Sequence, residues 1–123
     1  MLVKMSQPWK MFFDGAAQRN GVGAGVVFVT PEGDVLTYSF TLFKCCSNNV
    51  VEYQTLILGF EMAMDSKTTH LEVFGDSKLI INQVLSEYEV KMPDLVPYCK
   101  YATRLLGWFD YINITHVSRS ENK

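Results

Sequence analysis

HLEVFGDSKLIINQVL, residues 70–85, decides the fold class of this 123-residue chain. His70 to Phe74 is a short run rich in β-branched and aromatic side chains that stops at Gly75-Asp76, and Ser77 to Leu85 then reads as helix. A strand that feeds directly into a helix is one half of a crossover connection, the unit of an α/β sheet. Working upstream, WKMFF (9–13) reads as a strand ending in a turn at Asp14-Gly15, and Gly21 to Gly25 supplies permissive backbone. VVFVT (26–30) and VLTYSFTL (35–42) are further strands joined by the tight-turn sequence Pro31-Glu32-Gly33-Asp34. After Ser47 the apolar residues, Val51, Leu58 and Met62 among them, recur at helical spacing, with Ser47 or an adjacent Asn as the N-cap. Downstream, Pro93 and Pro97 lie around the start of another helix, and YINITHV (111–117) returns to strand. The spacing therefore predicts strands near 9–14, 24–30, 35–42, 70–75 and 111–117. The order β-β-β-α-β-α-α-β implies a five-stranded mixed sheet with helices over at least one face.

With 48% hydrophobic and 20% charged residues and no linker or repeat, residues 1–123 read as a single domain, with 1–8 expected as a flexible N-terminal segment. Aromatic residues at 13% exclude intrinsic disorder. No apolar run approaches the roughly 20 residues that span a bilayer, so no membrane association is expected. The first nine residues lack the apolar stretch of a secretory signal. Three cysteines, with Cys45 and Cys46 adjacent, give neither a disulfide framework nor metal-ligand spacing. A reducing, intracellular location, cytoplasmic or nuclear, is the expectation. Eleven basic against 13 acidic residues leave a net charge of −2, which does not advertise a nucleic-acid binder. If several carboxylates converge on one site to hold cations, however, the rest of the surface can still be locally basic.

Three acids stand out by position. Asp14 closes the first strand, Glu52 lies early in the first helix, and Asp76 follows the fourth strand. If the first and fourth strands are neighbours, Asp14 and Asp76 emerge side by side, and a helix crossing that edge can add Glu52. Carboxylates so close repel one another unless protonated or bridged by cations, and hard oxygen donors suit Mg²⁺ or Mn²⁺. Each residue also has a local explanation: Asp-Gly is a common turn, Glu in a first helical turn favours the macrodipole, and Asp before a helix often caps it. Only the topology joins the three.

FFDGAA, NGVGAGVV, SNNVVEYQTLILGFEMAM, LEVFGDSKLIINQV and ITHVSRSEN, in this order, resemble the type 1 ribonuclease H family. The likeness is greatest to the archaeal-like domains, including those of plant LTR-retrotransposon polyproteins, and it covers the chain from about Trp9 onward. It implies a ribonuclease H-like sheet with a final C-terminal helix that this sequence lacks. It also implies divalent-metal cleavage of the RNA strand of RNA–DNA hybrids, with Mg²⁺ or Mn²⁺ as cofactor and two ions in an intact site. By position, Asp14, Glu52 and Asp76 are similar to three of the family's four metal-binding carboxylates. The fourth would fall a few residues past Lys123, and Glu121 does not match it, so the sequence reads as a fragment with impaired activity.

The resemblance further implies that Ser47, Asn48 and Asn49 touch phosphate and the minor groove of the hybrid, as neutral donors and acceptors suited to base edges and 2′-hydroxyls. Capping of the helix is their alternative role. Gly15 can let backbone amides approach the RNA strand, though a tight turn would equally require it. Lys78 and Arg119 are candidate phosphate contacts. Ungapped counting sets His116 level with a catalytic-loop histidine, whereas the alternating ITHV pattern makes it a hydrogen-bonded core residue. Ser86 to Met92 is too short and too acidic for a basic helical protrusion, so few phosphate contacts are expected. Two function classes follow: a metal-dependent endoribonuclease, and a non-catalytic nucleic-acid-binding or tethering module of the same fold. An exonuclease or integrase-like relative is disfavoured by the NNxxEY context.

Overall fold

The structure is a computed structural model, and it describes residues 7–18, 21–42, 47–86 and 89–118. Its elements are β1 (Trp9–Gln18), β2 (Gly21–Val29), β3 (Val35–Leu42), α1 (Asn48–Asp65), β4 (His70–Gly75), α2 (Lys78–Val84), a 3₁₀ turn (Pro93–Leu95), α3 (Val96–Leu106) and β5 (Tyr111–His116). The strands form one mixed sheet in the order β3-β2-β1-β4-β5. β1, β2 and β3 pair antiparallel, while β4 runs parallel to β1 and β5 parallel to β4. The expected five-stranded layout is present, and the first and fourth strands are neighbours.

The first two strands differ from expectation at the end that matters. β1 does not turn at Asp14-Gly15 but continues to Gln18, and β2 begins at Gly21. Asp14 faces Gly25 and Gln18 faces Gly21 in an unbroken antiparallel register. Cross-strand pairing keeps the glycines extended here, overriding the punctuation they signal in isolation. The parallel ladder to β4, in contrast, ends at Phe13 opposite Gly75. Asp14 and Asp76 are therefore each the first residue beyond that ladder. The tight turn after β2 forms as expected, closed by a 2.9 Å bond from the Gly33 amide to the Thr30 carbonyl. Residues 1–6, within the expected flexible segment, lie outside the described residues.

Alternation along the strands sorts the two faces. Met11 and Phe13 of β1, Val26 and Phe28 of β2, and Leu71 and Val73 of β4 point into one core with Tyr53, Leu56 and Phe60 of α1. α1 lies across β1 and β2, and α3 packs on α1. Packed against both the sheet and α3, α1 buries a broad stripe that includes Tyr53, Leu56, Ile57, Phe60 and Ala63. Leu58 and Met62, which the helical spacing places on the apolar face, are only half-buried. Gly59 allows the close approach, since a Cβ there would overlap the Met11 side-chain terminus. The opposite sheet face carries an aromatic pair, Phe12 stacked on Phe74 at 5.1 Å, with Phe12 41% exposed.

One polar link crosses the core. The Tyr53 hydroxyl, fully buried, donates to Gln83 Oε1 at 2.6 Å, and the Cys99 thiol donates to the Gln83 carbonyl at 3.6 Å. α1, α2 and α3 are thus joined through one residue, Gln83, by its side chain and its backbone carbonyl. Burial above all, and then the neighbouring Cys99 thiol, push the Tyr53 phenol well above its ordinary value. Above about pH 10 the unfolded chain's tyrosine ionises while this one stays protonated, so its contribution favours folding below that pH and is lost as pH rises. Tyr53→Phe leaves the buried Gln83 amide without its donor and should cost about 1–2 kcal/mol in urea unfolding at neutral pH. The same variant should flatten the fall in stability on the alkaline side. An unchanged alkaline limb would show that Tyr53 is not the group responsible.

Candidate metal centre

Asp14, Glu52 and Asp76 meet at the end of the β1–β4 ladder. One carboxylate oxygen from each lies within 4.8 Å of the other two. Three separate constraints bring them there. Asp14 alternates onto the face opposite Phe13, Asp76 leaves β4 where its pairing stops, and Glu52 is carried over the edge by α1. Glu52 sits between Val51 and Tyr53, both buried, and is itself only 7% exposed, whereas Asp14 is exposed and Asp76 half-buried. Its Oε1 accepts a 2.6 Å hydrogen bond from the Gly15 backbone amide, thirty-seven residues away in sequence. The Gly15 amide is thus directed at a carboxylate.

The local explanations for the acids weaken together. Asp14-Gly15 is mid-strand, not a turn. Glu52 is the fifth residue of α1, and no acidic residue lies in that helix's first turn. The N-cap of α2 is Ser77 rather than Asp76. What remains is a cluster of hard oxygen donors at a spacing suited to a divalent cation, and the donor set fits Mg²⁺ or Mn²⁺. Beside it opens a cleft of about 320 Å³ with Asp14 and Asp76 at one end and Phe12, Phe74, Val27 and Val117 along its walls.

The remaining candidates distribute around this edge. Ser47 is the N-cap of α1, its Oγ accepting from the Val50 amide at 3.4 Å. Asn48 is exposed and Asn49 half-buried in the first turn, one helical turn before Glu52. Lys78 is exposed at the first position of α2, two residues after Asp76. His116 pairs with Gly75 at the same end of the sheet and is exposed, which corrects the expectation of a core histidine. Along β5, at the edge of the sheet, only Ile114 is buried, and Tyr111, Asn113 and Thr115 are exposed like His116. Arg119 lies outside the described residues. Sequence reasoning missed the Gly15–Glu52 bond and the Phe12–Phe74 wall; alternation within WKMFFDG was the available signal for the wall, and nothing local signals the bond.

The family model described as reverse transcriptase-like matches residues 12–123. A ribonuclease HI from Halobacterium salinarum is 34% identical over 114 residues, 91% of this chain and 57% of that protein. A bifunctional protein of Mycobacterium tuberculosis is 35% identical over 112 residues, 89% of this chain and 31% of that protein. The chain thus spans about half or less of the length of these curated relatives. Among solved structures, RNase H1 of Halobacterium salinarum superposes with a TM-score of 0.85 at 33% identity, covering 94% of this chain and 89% of that one. LC11-RNase H1, crystallised in complex with an RNA/DNA hybrid, gives 0.79 at 28% identity, with 93% and 88% covered. On sequence and fold together, the chain belongs to the reverse transcriptase-like family and, within it, to the type 1 ribonuclease H group.

Proposed function

We propose that this chain is a metal-dependent endoribonuclease domain that cuts the RNA strand of RNA–DNA hybrids. The observation that carries the reading is the meeting of Asp14, Glu52 and Asp76, three residues from three elements, with donor oxygens within 4.8 Å of one another. Family membership and the hybrid held by LC11-RNase H1 support the substrate class. Asp14, Glu52 and Asp76 would hold Mg²⁺ or Mn²⁺. Such ions, when bound, activate water for attack on a phosphodiester and stabilise the leaving oxygen.

The other residues bind and orient. Asn48 and Asn49, in the first turn of α1, would read a groove with neutral donors and acceptors, and Ser47 would meet phosphate while it caps the helix. Lys78 supplies a phosphate-seeking charge two residues from Asp76. His116, exposed level with Gly75, is within the same edge, and Arg119 belongs to the proposal on sequence alone. With 11 basic residues against 13 acidic ones, hybrid affinity should be modest and its salt slope shallow.

Removing any one of the three carboxylate donors should act on chemistry more than on binding and cost about 10³-fold or more in turnover, at 1.36 kcal/mol per decade. On a labelled hybrid, cleavage should fall on the RNA strand only, be faster with Mn²⁺ than with Mg²⁺, and vanish in Asp76→Asn. A chain that binds hybrids yet cuts neither strand with either metal would instead be a tethering module.

Metal binding has its own readout. Ions that bind only the folded protein raise its melting temperature by mass action. Mg²⁺ or Mn²⁺ should therefore raise the melting temperature of the wild type, and Asp14→Asn should remove most of that shift. Equal shifts in the two proteins would mean that the carboxylates form no cation site.

A further inference from the structure

We infer that Gly15 is a positioning residue for the carboxylate site, holding Glu52 through its backbone amide and setting the β1–α1 spacing through its missing side chain. The inference rests on reading Asp14, Glu52 and Asp76 as a metal centre. Two observations carry it independently. The first is the hydrogen bond: the Gly15 amide donates to Glu52 Oε1 at 2.6 Å, and a charged acceptor makes this bond short and strong. One oxygen of the carboxylate is thereby fixed before any ligand arrives, as outer-shell donors fix metal ligands elsewhere.

The second is space. A Cβ on Gly15 would lie 2.8 Å from Thr55 Oγ1, 2.9 Å from Val51 Cγ1 and 3.3 Å from Glu52 Oε1. Thr55 cannot rotate away cheaply, because it is fully buried and its Oγ1 donates to the Val51 carbonyl at 2.7 Å. Val51 is buried as well. All three obstacles belong to one face of α1, so any side chain at 15 must push that part of the helix off the strand. Glu52 would move with it, away from Asp14, which is the neighbour of Gly15 on β1. Gly59 also allows α1 to approach β1, but there the obstacle is the flexible end of Met11, about two helical turns from Glu52. The two glycines therefore do different things. Gly59 serves packing, and Gly15 serves the site.

The experiment compares Gly15→Ala, Gly59→Ala, Glu52→Ala and the triple variant Gly15→Ala/Val51→Ala/Thr55→Ala. Mn²⁺ affinity is measured by calorimetry, and exchange of the Gly15 amide proton by NMR. Gly15→Ala should lose about tenfold or more in Mn²⁺ affinity, the range typical of a lost outer-shell partner. Gly59→Ala should lower the melting temperature and leave that affinity within about twofold. The triple variant removes the clash together with buried atoms, so it should be less stable than Gly15→Ala yet regain Mn²⁺ affinity, which a merely structural role would not allow. In the wild type the Gly15 amide should exchange slowly, and Glu52→Ala should speed it. Wild-type Mn²⁺ affinity in Gly15→Ala, failure of the folded triple variant to regain it, or equal amide exchange in wild type and Glu52→Ala would each overturn the inference. If the amide is protected by Glu52 but the wild type binds no Mn²⁺, the positioning role stands and the metal reading of the site fails.

Discussion

Helix α1 lies flush against β1 because two glycines remove the atoms that would hold it off. Gly15 is on the strand and Gly59 is on the helix. That close approach brings Tyr53, Leu56 and Phe60 onto Met11, Phe13 and Val26, which makes the core. It also swings Glu52 over the strand edge to within reach of Asp14 and Asp76. Stability and site geometry thus share one contact surface. A loss of packing at the Gly15 end of α1 is also a loss of register among the carboxylates, and residues that never touch a ligand control how well one can be held.

Folding works against electrostatics at this edge. Three carboxylates whose oxygens approach within 4.8 Å repel in the absence of cations, and the burial of Glu52 withdraws water that would otherwise screen it. The opposing terms are local and specific. The Gly15 amide supplies a positive dipole to Glu52 Oε1, and buried Val51 and Tyr53 anchor the helix on either side of the acid. Tyr53 is further tied through Gln83 to α2, the helix that follows Asp76. The acids are held together by a framework stiff enough to keep them apart from their preferred, more distant positions.

Much of this was legible in the sequence, and the parts that were not share a cause. Strands at 35–42 and 70–75 stand at the residues that alternation predicted, and Ser47 caps the first helix as expected. The three acids were legible in the residue pattern: Asp14 and Asp76 each end an apolar run, WKMFF and HLEVFG, and Glu52 falls among the helically spaced apolar residues after Ser47. The extent of β1 was not, because Asp14-Gly15 and the glycines of β2 signal turns in isolation and become strand only when paired with each other. His116 was misjudged for a similar reason: its alternation is that of a core residue, but on the edge strand β5 only Ile114 is buried. The Gly15–Glu52 bond spans thirty-seven residues, and no local pattern encodes it.

The sheet face opposite α1 completes the logic of the site. Phe12 and Phe74 alternate with the core residues Met11, Phe13 and Val73, so the same strands that build the core on one side build an aromatic wall on the other. That wall runs up to Asp14 and Asp76 and lines the cleft beside them. Apolar walls lower the local dielectric and strengthen whatever charge interactions occur at the cleft's end. The period-two geometry of β1 thereby couples three functions in consecutive residues: Phe12 for the wall, Phe13 for the core, and Asp14 for the charge.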